Sequence, residues 1–553
     1  MTFCPFCRSS RQLSTFRPPC NAPFPDRPIV LRVLSPRVPR PWLIAALLAG
    51  LPGIARAQHV IIDSVAIETF DIFLPEEVEG NIFAGIMNAL HVKTRPSVVR
   101  KELLFRAGDA LDARRLEETE RNLRRRGIFR RVVIDTVRAD GKLVARVFTS
   151  DGWTTNIDFG LSFTGNTVTW RAGAIEQNVL GTGHAFGIIY RDEPDRNALR
   201  LLTQINRPFG TRAVLSGFYD NLSDGSAGAW SAGVPFLALE HRVGIELPGE
   251  AASRRVLQWR DGDTLDVRWR RAFVQRAAVG WAPSASPAGY LRVGLLGQIR
   301  QEQFLQLADT GLATPDSVSA AFGVYADFFR PRFLEVTHYN GFAREEDVDI
   351  GLRGILQVWI APKAFGYREG GVAPLLEVQT GIGIPQVFAR LRARAHGMFT
   401  ASGLDSGQVW GGLTIASRLI RRQATVVHVE AGAQKNPAPG AQFDIGHGLG
   451  PRGFEPHAFT GTRTAWGVLE HRIFLFDALL NLFGLGVAGF LDYGGAWYAD
   501  QPARLGGNVG LGLRMGGTTS TGPNVGRFDL AYRFGDGWSG NRWVVSFGQA
   551  YEF

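Results

Sequence analysis

The chain has 553 residues, 45% apolar and 11% aromatic, with 66 glycines and a formal charge of +10. That length calls for several globular domains or one large barrel, and the glycine excess follows neither a collagen period nor a low-complexity run. The charge does not point to nucleic acid, because eight arginines against Asp26 place +7 within residues 1–57 and leave +3 for the remainder.

Residues 1–57 read as a leader. Pro41–Leu51 is an apolar core preceded by Arg32, Arg37 and Arg40, and Ala55-Arg56-Ala57 before Gln58 is an export cleavage pattern. The core is too short to cross a bilayer as a helix. All three cysteines, Cys4, Cys7 and Cys20, fall here, and Cys4-x-x-Cys7 has no second pair or histidine at a metal-binding spacing.

Residues 58–87 read as a short extension, with Ile61–Phe70 a candidate strand and Pro75–Glu79 an exposed turn. Residues 88–152 have the pattern of a small α/β domain. Asn88–Val92 predicts a strand, Pro96–Leu103 a short helix, and Asp112–Arg124 a helix capped by Asp112 and ended by Gly127. Phe129–Asp135 and Leu143–Phe148 then alternate about Asp140-Gly141, as a hairpin does. Arg124, Arg125, Arg126, Arg130 and Arg131 form a basic cluster, either a solvated helix end or a contact for anionic headgroups or a partner.

Gly108, the Leu116–Leu123 helix, Gly127-Ile128-Phe129 and the hairpin together resemble a POTRA domain, the periplasmic module of outer-membrane assembly proteins. The resemblance implies a periplasmic N-terminal domain whose hairpin edge meets a polypeptide client or a partner protein.

Residues 153–553 contain no apolar stretch of helix length. Short alternating segments recur instead. Leu265, Val267 and Trp269 oppose Asp266, Arg268 and Arg270; Val387, Ala389 and Leu391 oppose Arg390, Arg392 and Arg394; Phe528, Leu530 and Tyr532 oppose Arg527, Asp529 and Arg533. Period two with one apolar and one charged face predicts lipid on one side and a wet lumen on the other. Lipid offers no partner to a sheet edge, so the sheet must close. The predicted fold class is an all-β membrane protein, a transmembrane antiparallel β-barrel preceded by the small α/β domain. Sixteen strands would each take about 25 residues with their connection, compatible with tilted membrane strands and long outer loops.

The terminal segment places Trp543, Val545, Phe547, Gln549, Tyr551 and Phe553 on one face. Ser546, Gly548, Tyr551 and Phe553 resemble the C-terminal recognition signal of bacterial outer-membrane barrels. Glu176-x-Asn178-x-x-Gly181-x-Gly183 resembles an early hairpin of one barrel superfamily, or is a glycine turn between strands.

Pro451 to Gly494 carries the sharpest pattern. Arg452 lies in a Gly/Pro-punctuated loop, and Glu470 and Asp492 lie on the two strands that follow. In a closed interior an unpaired charge is expensive, so the three would meet. Arg452-Gly453-Phe454, Glu470-His471-Arg472 and Phe490-Leu491-Asp492-Tyr493-Gly494 resemble the loop and strand motifs of the superfamily of BamA and TamA. The resemblance implies an outer loop folded into the lumen, with Arg452 engaging Glu470 and Asp492, Gly453 permitting close placement and Phe454 packing. Only one POTRA-like domain can be placed, where those assembly factors carry several.

No G-x-S-x-G, H-E-x-x-H or Walker A pattern occurs, so neither catalytic, cofactor nor metal residues are expected. His428 and Glu430 share one strand face, as a lumenal polar pair or the seed of a metal site. The function expected is an outer-membrane insertase or translocase in which a polypeptide client joins a weak seam between the first barrel strand, near Asn156–Thr164, and the last. Gly160, Gly165, Gly540 and Gly548 would loosen that seam. The alternatives are a solute channel, with Arg390, Arg392 and Arg394 selecting anions, and a barrel acting as a scaffold for lipid or surface partners.

Overall fold

The computed structural model describes residues 60–79, 82–236, 241–286, 288–306, 317–343, 346–479, 483–517 and 525–549. The expected leader, with its cleavage pattern and cysteines, lies outside the described residues, as do Tyr551 and Phe553 of the terminal signal. The chain divides into two compact units.

In the N-terminal unit, strand β1 (Ser64–Phe70) runs parallel to β3 (Lys142–Asp151), and β3 pairs antiparallel with β2 (Phe129–Ala139), giving the order β1-β3-β2. Helices α1 (Pro75–Val78), α2 (Ile82–Leu90), α3 (Pro96–Glu102) and α4 (Ala113–Arg125) accompany the sheet. Leu123 of α4, Val99 of α3 and the inward residues Val132, Leu143, Ala145 and Val147 close one core. Two expectations need correction. Residues 58–87 are no separate extension, because β1 supplies the third strand of the sheet. Asn88–Leu90 end α2 rather than open a strand; Ile82, Ile86 and Leu90 recur every fourth residue, which is helical spacing.

The second unit is a closed antiparallel barrel of twenty described strands. It opens with β4 (Thr155–Thr164), β5 (Thr167–Glu176), β6 (Ala185–Glu193), β7 (Arg196–Asn206), β8 (Val214–Leu222) and β9 (Gly225–Val234). The long strands β10 (Val243–Arg260), β11 (Asp263–Ser286), β12 (Gly289–Gln306) and β13 (Ser317–Arg330) follow. A small hairpin, β14 (Phe333–Val336) with β15 (Glu346–Asp349), interrupts the wall. The wall resumes with β16 (Leu352–Ala361), β17 (Gly371–Ile384), β18 (Val387–Thr400), β19 (Gly403–Ser417) and β20 (Gln423–Lys435). A second small pair, β21 (Phe443–Ile445) with β22 (Phe459–Gly461), precedes β23 (Arg463–Leu479), β24 (Phe483–Trp497), β25 (Gly506–Gly517), β26 (Val525–Gly535) and β27 (Trp543–Gln549).

Twenty strands replace the expected sixteen because connections are shorter than the estimate assumed. Residues 165–166, 194–195, 223–224, 261–262 and 401–402 each turn a hairpin with two residues. Alternation sets the two faces. Val509, Leu511, Leu513 and Met515 of β25 are exposed on the outer wall, while Asn508 and Arg514 are buried inside. On β12, Leu295 and Ile299 face out, and Arg292, Gln298 and Arg300 are buried. An apolar exterior around a charged interior is the pattern of a barrel that crosses a bilayer.

Two chain segments occupy the interior. Residues 436–462 enter from the end where β4 finishes, and residues 331–351 enter from the end where β4 starts. They share one buried cluster, in which Leu334, Val336, Tyr339, Val348 and Ile350 of the second segment join Ile445, Phe454, Ala458 and Phe459 of the first.

Candidate functional site

Strand parity delivers the charges of the site. Glu470 and Arg472 on β23, Phe490 and Asp492 on β24, Asn508 and Arg514 on β25, and Arg527 and Asp529 on β26 are all inward and buried. Register places them in nearby rows on four adjacent strands: Glu470 pairs with Phe490, Asp492 with Asn508, and Arg514 with Arg527.

Arg452 enters this set from the inner loop and is fully buried. Its Nε donates to Asp492 Oδ2 at 2.7 Å and one terminal nitrogen to Asp492 Oδ1 at 2.9 Å, a bidentate fork. The other terminal nitrogen donates to Glu470 Oε2 at 2.6 Å and stands 3.6 Å from Asp529 Oδ2. The guanidinium also lies 3.9 Å from the centre of the Phe490 ring. Gly453 N donates to Asn508 Oδ1 at 3.0 Å, and a Cβ there would come within 3.1 Å of that oxygen. Phe454 is fully buried, its ring 5.0 Å from Phe459. The structure thus gathers all five residues singled out in the loop and strand motifs.

Sequence reasoning missed the rest of the network. Arg472 donates to Glu470 Oε1 at 2.7 Å. Arg514 bridges Glu470 Oε2 at 3.1 Å and Asp529 Oδ1 at 2.6 Å. Arg527 donates to Asp529 Oδ2 at 2.6 Å and to the main-chain oxygen of Gln549, on the last strand, at 2.9 Å. Four guanidinium groups therefore surround three carboxylates, so each carboxylate faces at least one cation despite burial. The available signals were Arg472 in the Glu470-His471-Arg472 motif and the shared parity of Arg527 and Asp529.

Arg472 also joins the brace to the second inner segment, donating to the Tyr339 carbonyl at 2.6 Å. That segment turns around Glu346, whose carboxylate accepts the main-chain N–H groups of Tyr339, Asn340 and Gly341 at 3.3, 3.0 and 2.8 Å. Tyr339 packs edge-on against Phe388, and Phe342 against Phe474. The wall makes room for it: a Cβ at Gly484 would stand 2.4 Å from the Phe342 ring.

The inner loop is also tied at its outer end. His457 lies between Asp444 and Asp195 at 2.7 and 2.9 Å and stacks on Trp259 with ring centres 3.9 Å apart. Burial disfavours its charge, yet the two carboxylates prevail and its pKa is pushed up to about 9.

Among the described residues the barrel closes between β27 and β4 through two register pairs, Ser546 with Thr164 and Phe547 with Phe163. Beyond them, Ser162 Oγ donates to the Phe547 carbonyl at 2.9 Å and the Phe163 and Phe547 rings stack at 5.8 Å. By contrast β26 and β27 share seven pairs, and β4 and β5 share ten. Of the glycines expected to loosen this seam, Gly548 borders it, with space for a Cβ limited by Ser162 Oγ at 2.9 Å, and Gly165 N donates across it to the Val545 carbonyl at 3.3 Å. The Arg171 side chain fills the room beside Gly160, Gly165 turns the β4–β5 hairpin, and Gly540 precedes β27. Ser546 is inward and buried, 3.4 Å from Arg527.

The remaining candidates resolve locally. Glu176 and Asn178 order the β5–β6 connection, Asn178 N donating to Glu176 Oε1 at 2.7 Å and Gly183 N to Asn178 Oδ1 at 2.7 Å. His428 meets Glu430 at 3.1 Å and Thr414 at 2.8 Å on the lumenal face. Arg394 is paired with Glu377 at 3.2 Å.

Residues 87–158 match the POTRA family model, described as a surface antigen variable number repeat. Comparison with curated proteins returns no match. Among solved structures, the chain is similar to BamA from Haemophilus ducreyi lacking POTRA domains 1–3, with 11% identity, a TM-score of 0.45 and 82% of each chain covered. It is similar to CdiB from Acinetobacter baumannii, with 13% identity and a TM-score of 0.39 over 88% of this chain and 73% of that one. The same holds for CdiB from Escherichia coli, with 10% identity and a TM-score of 0.40 over 88% and 77%.

Proposed function

We propose that the chain is an outer-membrane barrel of the BamA and TamA type that inserts or secretes polypeptide clients through the seam between β4 and β27, with its N-terminal domain in the periplasm. The observation that carries this reading is that, among the described residues, two ladder pairs close a barrel whose other neighbouring strands are laddered at greater length. Among the described residues the rest of the β4 edge has no ladder partner, and a strand joining it there would gain main-chain hydrogen bonds by β-augmentation. Ile157, Phe159 and Leu161 on that strand are exposed and would pack beside the outward residues of the client.

The brace supplies the control. Arg452 touches Asp529, Asp529 holds Arg527, and Arg527 holds the carbonyl of Gln549, so displacement of the inner loop is felt at the last strand. The POTRA domain supports the same reading, its β2 edge offering a place for a client or partner in the periplasm. A wide solute channel is the weaker reading, because two segments fill the interior and Arg394 is already paired.

The test is to lock the seam. Thr164→Cys with Ser546→Cys places two cysteines at register partners in a chain with no other cysteine after Cys20. Oxidised cells should lose specific proteins from the outer membrane or surface, and reduction should restore them. A complete cross-link with an unchanged protein inventory would sink the proposal.

A further inference from the structure

At the end of the barrel where β4 starts, the β19–β20 turn, residues 418–422, stands against the tip of the inner hairpin. Between them lies a cavity of ≈240 Å3 lined by Thr337, His338, Arg418, Arg421, Arg422 and Asp477. Asp477 is the one carboxylate, and it is already engaged by His338 Nε2 at 2.8 Å and by Arg422 at 2.9 Å. Arg418 spends its terminal nitrogens on neutral oxygens, the Pro385 carbonyl at 3.0 Å and Thr337 Oγ1 at 3.2 Å. The Nε atoms of Arg418 and Arg422 are buried and donate to no described acceptor. Arg421 is exposed beside them. Burial pulls the Arg418 pKa below its ordinary value, and the Glu346 carboxylate opposes that shift without reversing it.

The turn itself is apolar at its tip. Leu419 is 73% exposed and Ile420, which also lines the cavity, 59%. Ile384, Val387, Leu475 and Phe476 are exposed on neighbouring strands at this same end of the wall. Hydrocarbon-facing side chains therefore run up to the edge of a cationic cavity, as at the boundary between acyl chains and headgroups.

We propose that this cavity binds the headgroup of an anionic glycerophospholipid, whose phosphodiester is held by Arg418, Arg421 and Arg422 while its acyl chains lie along Leu419 and Ile420. Guanidinium forks match the two non-bridging phosphate oxygens. A free phosphate would use the same arginines but would gain nothing from the apolar tip. The inference rests on the barrel crossing a bilayer and is independent of the seam.

The test uses the full-length protein in detergent, with bound lipid counted by native mass spectrometry. Phosphatidylglycerol should be retained in preference to phosphatidylcholine. Arg418→Gln with Arg421→Gln should weaken phosphatidylglycerol binding about 25-fold, at about five-fold per arginine. Leu419→Ser with Ile420→Ser should weaken lipid binding but not competition by inorganic phosphate. Folded barrels are recognised by their heat-modifiable mobility in gels, and if the double arginine variant does not fold, exposed Arg421→Gln alone should still lower affinity about five-fold. Equal retention of the two lipids, or unchanged binding in folded arginine variants, overturns the proposal. Phosphate competition accompanied by no effect of the serine variants also overturns it, in favour of a free-anion site.

Discussion

Replacing Arg452 with alanine tests the brace, because its partners are unequally protected against the loss. Glu470 would keep Arg472 and Arg514 at 2.7 and 3.1 Å. Asp492 would keep only neutral donors, Asn508 Nδ2 at 2.9 Å and the main-chain N–H of residue 452 at 3.1 Å. Removing one partner of a buried ion pair costs about 3–5 kcal/mol, chiefly as the penalty of the charge left behind. That charge is Asp492. Adding Asp492→Asn to Arg452→Ala should therefore recover about 1–3 kcal/mol, the range for an unsatisfied buried group. Adding Glu470→Gln should recover nothing, since Arg472 and Arg514 would then face a neutral amide. Arg452→Lys keeps the charge but cannot fork both carboxylates and should fall between. Urea unfolding followed by heat-modifiable mobility gives the stabilities, and proteolysis within residues 436–462 reports loop release. The reasoning fails if Glu470→Gln rescues Arg452→Ala better than Asp492→Asn, or if Arg452→Ala leaves both stability and protease protection unchanged.

Other expectations follow from the two ends of the lumen. His457 has its pKa raised to about 9, so the stabilisation it contributes is fully present below the ordinary histidine value near 6.5 and is lost as pH rises through about 9. Cleavage of the inner loop should rise over that window in the parent chain and lose the transition in His457→Asn; identical profiles would refute the assignment. Replacing residues 333–349 with a short glycine-serine turn removes the Tyr339 and Phe342 packing and should raise single-channel conductance in planar bilayers. Unchanged conductance would mean that the 436–462 segment alone seals the interior.

Much of the architecture could be read from local pattern. Alternation such as Phe528, Leu530 and Tyr532 against Arg527, Asp529 and Arg533 fixes parity without any tertiary information, and the α4 helix declares itself through Asp112, Leu116, Leu123 and Gly127. The Arg452, Glu470 and Asp492 trio was legible because a buried charge needs partners and few acids lay close enough in sequence. Strand number was not, since it depends on turns as short as 261–262 rather than on the strands themselves. Nor could the sequence choose Asp529, Arg514 and Arg527 from the many lumenal charges, because cross-strand register decides who meets Arg452. The β14–β15 hairpin escaped for a related reason: Phe333–Val336 alternates as a wall strand does, and only its burial with Tyr339 and Phe454 shows that it left the wall.

The narrow closure also bears on the order of folding. Its contacts join residues 385 apart in sequence, and closing a flexible loop of that length costs about 5 kcal/mol of chain entropy. Among the described residues, two ladder pairs, the Ser162–Phe547 and Gly165–Val545 hydrogen bonds and one stacked phenylalanine pair, at about 1 kcal/mol each, only match that cost and give an open chain no net gain. The other nineteen ladders must curl the sheet first and deliver the ends to one another. Closure is therefore the last step in assembling this barrel and the first to reverse when it is perturbed, so hydrogen exchange should reach Phe163 and Phe547 before the interior of any neighbouring ladder.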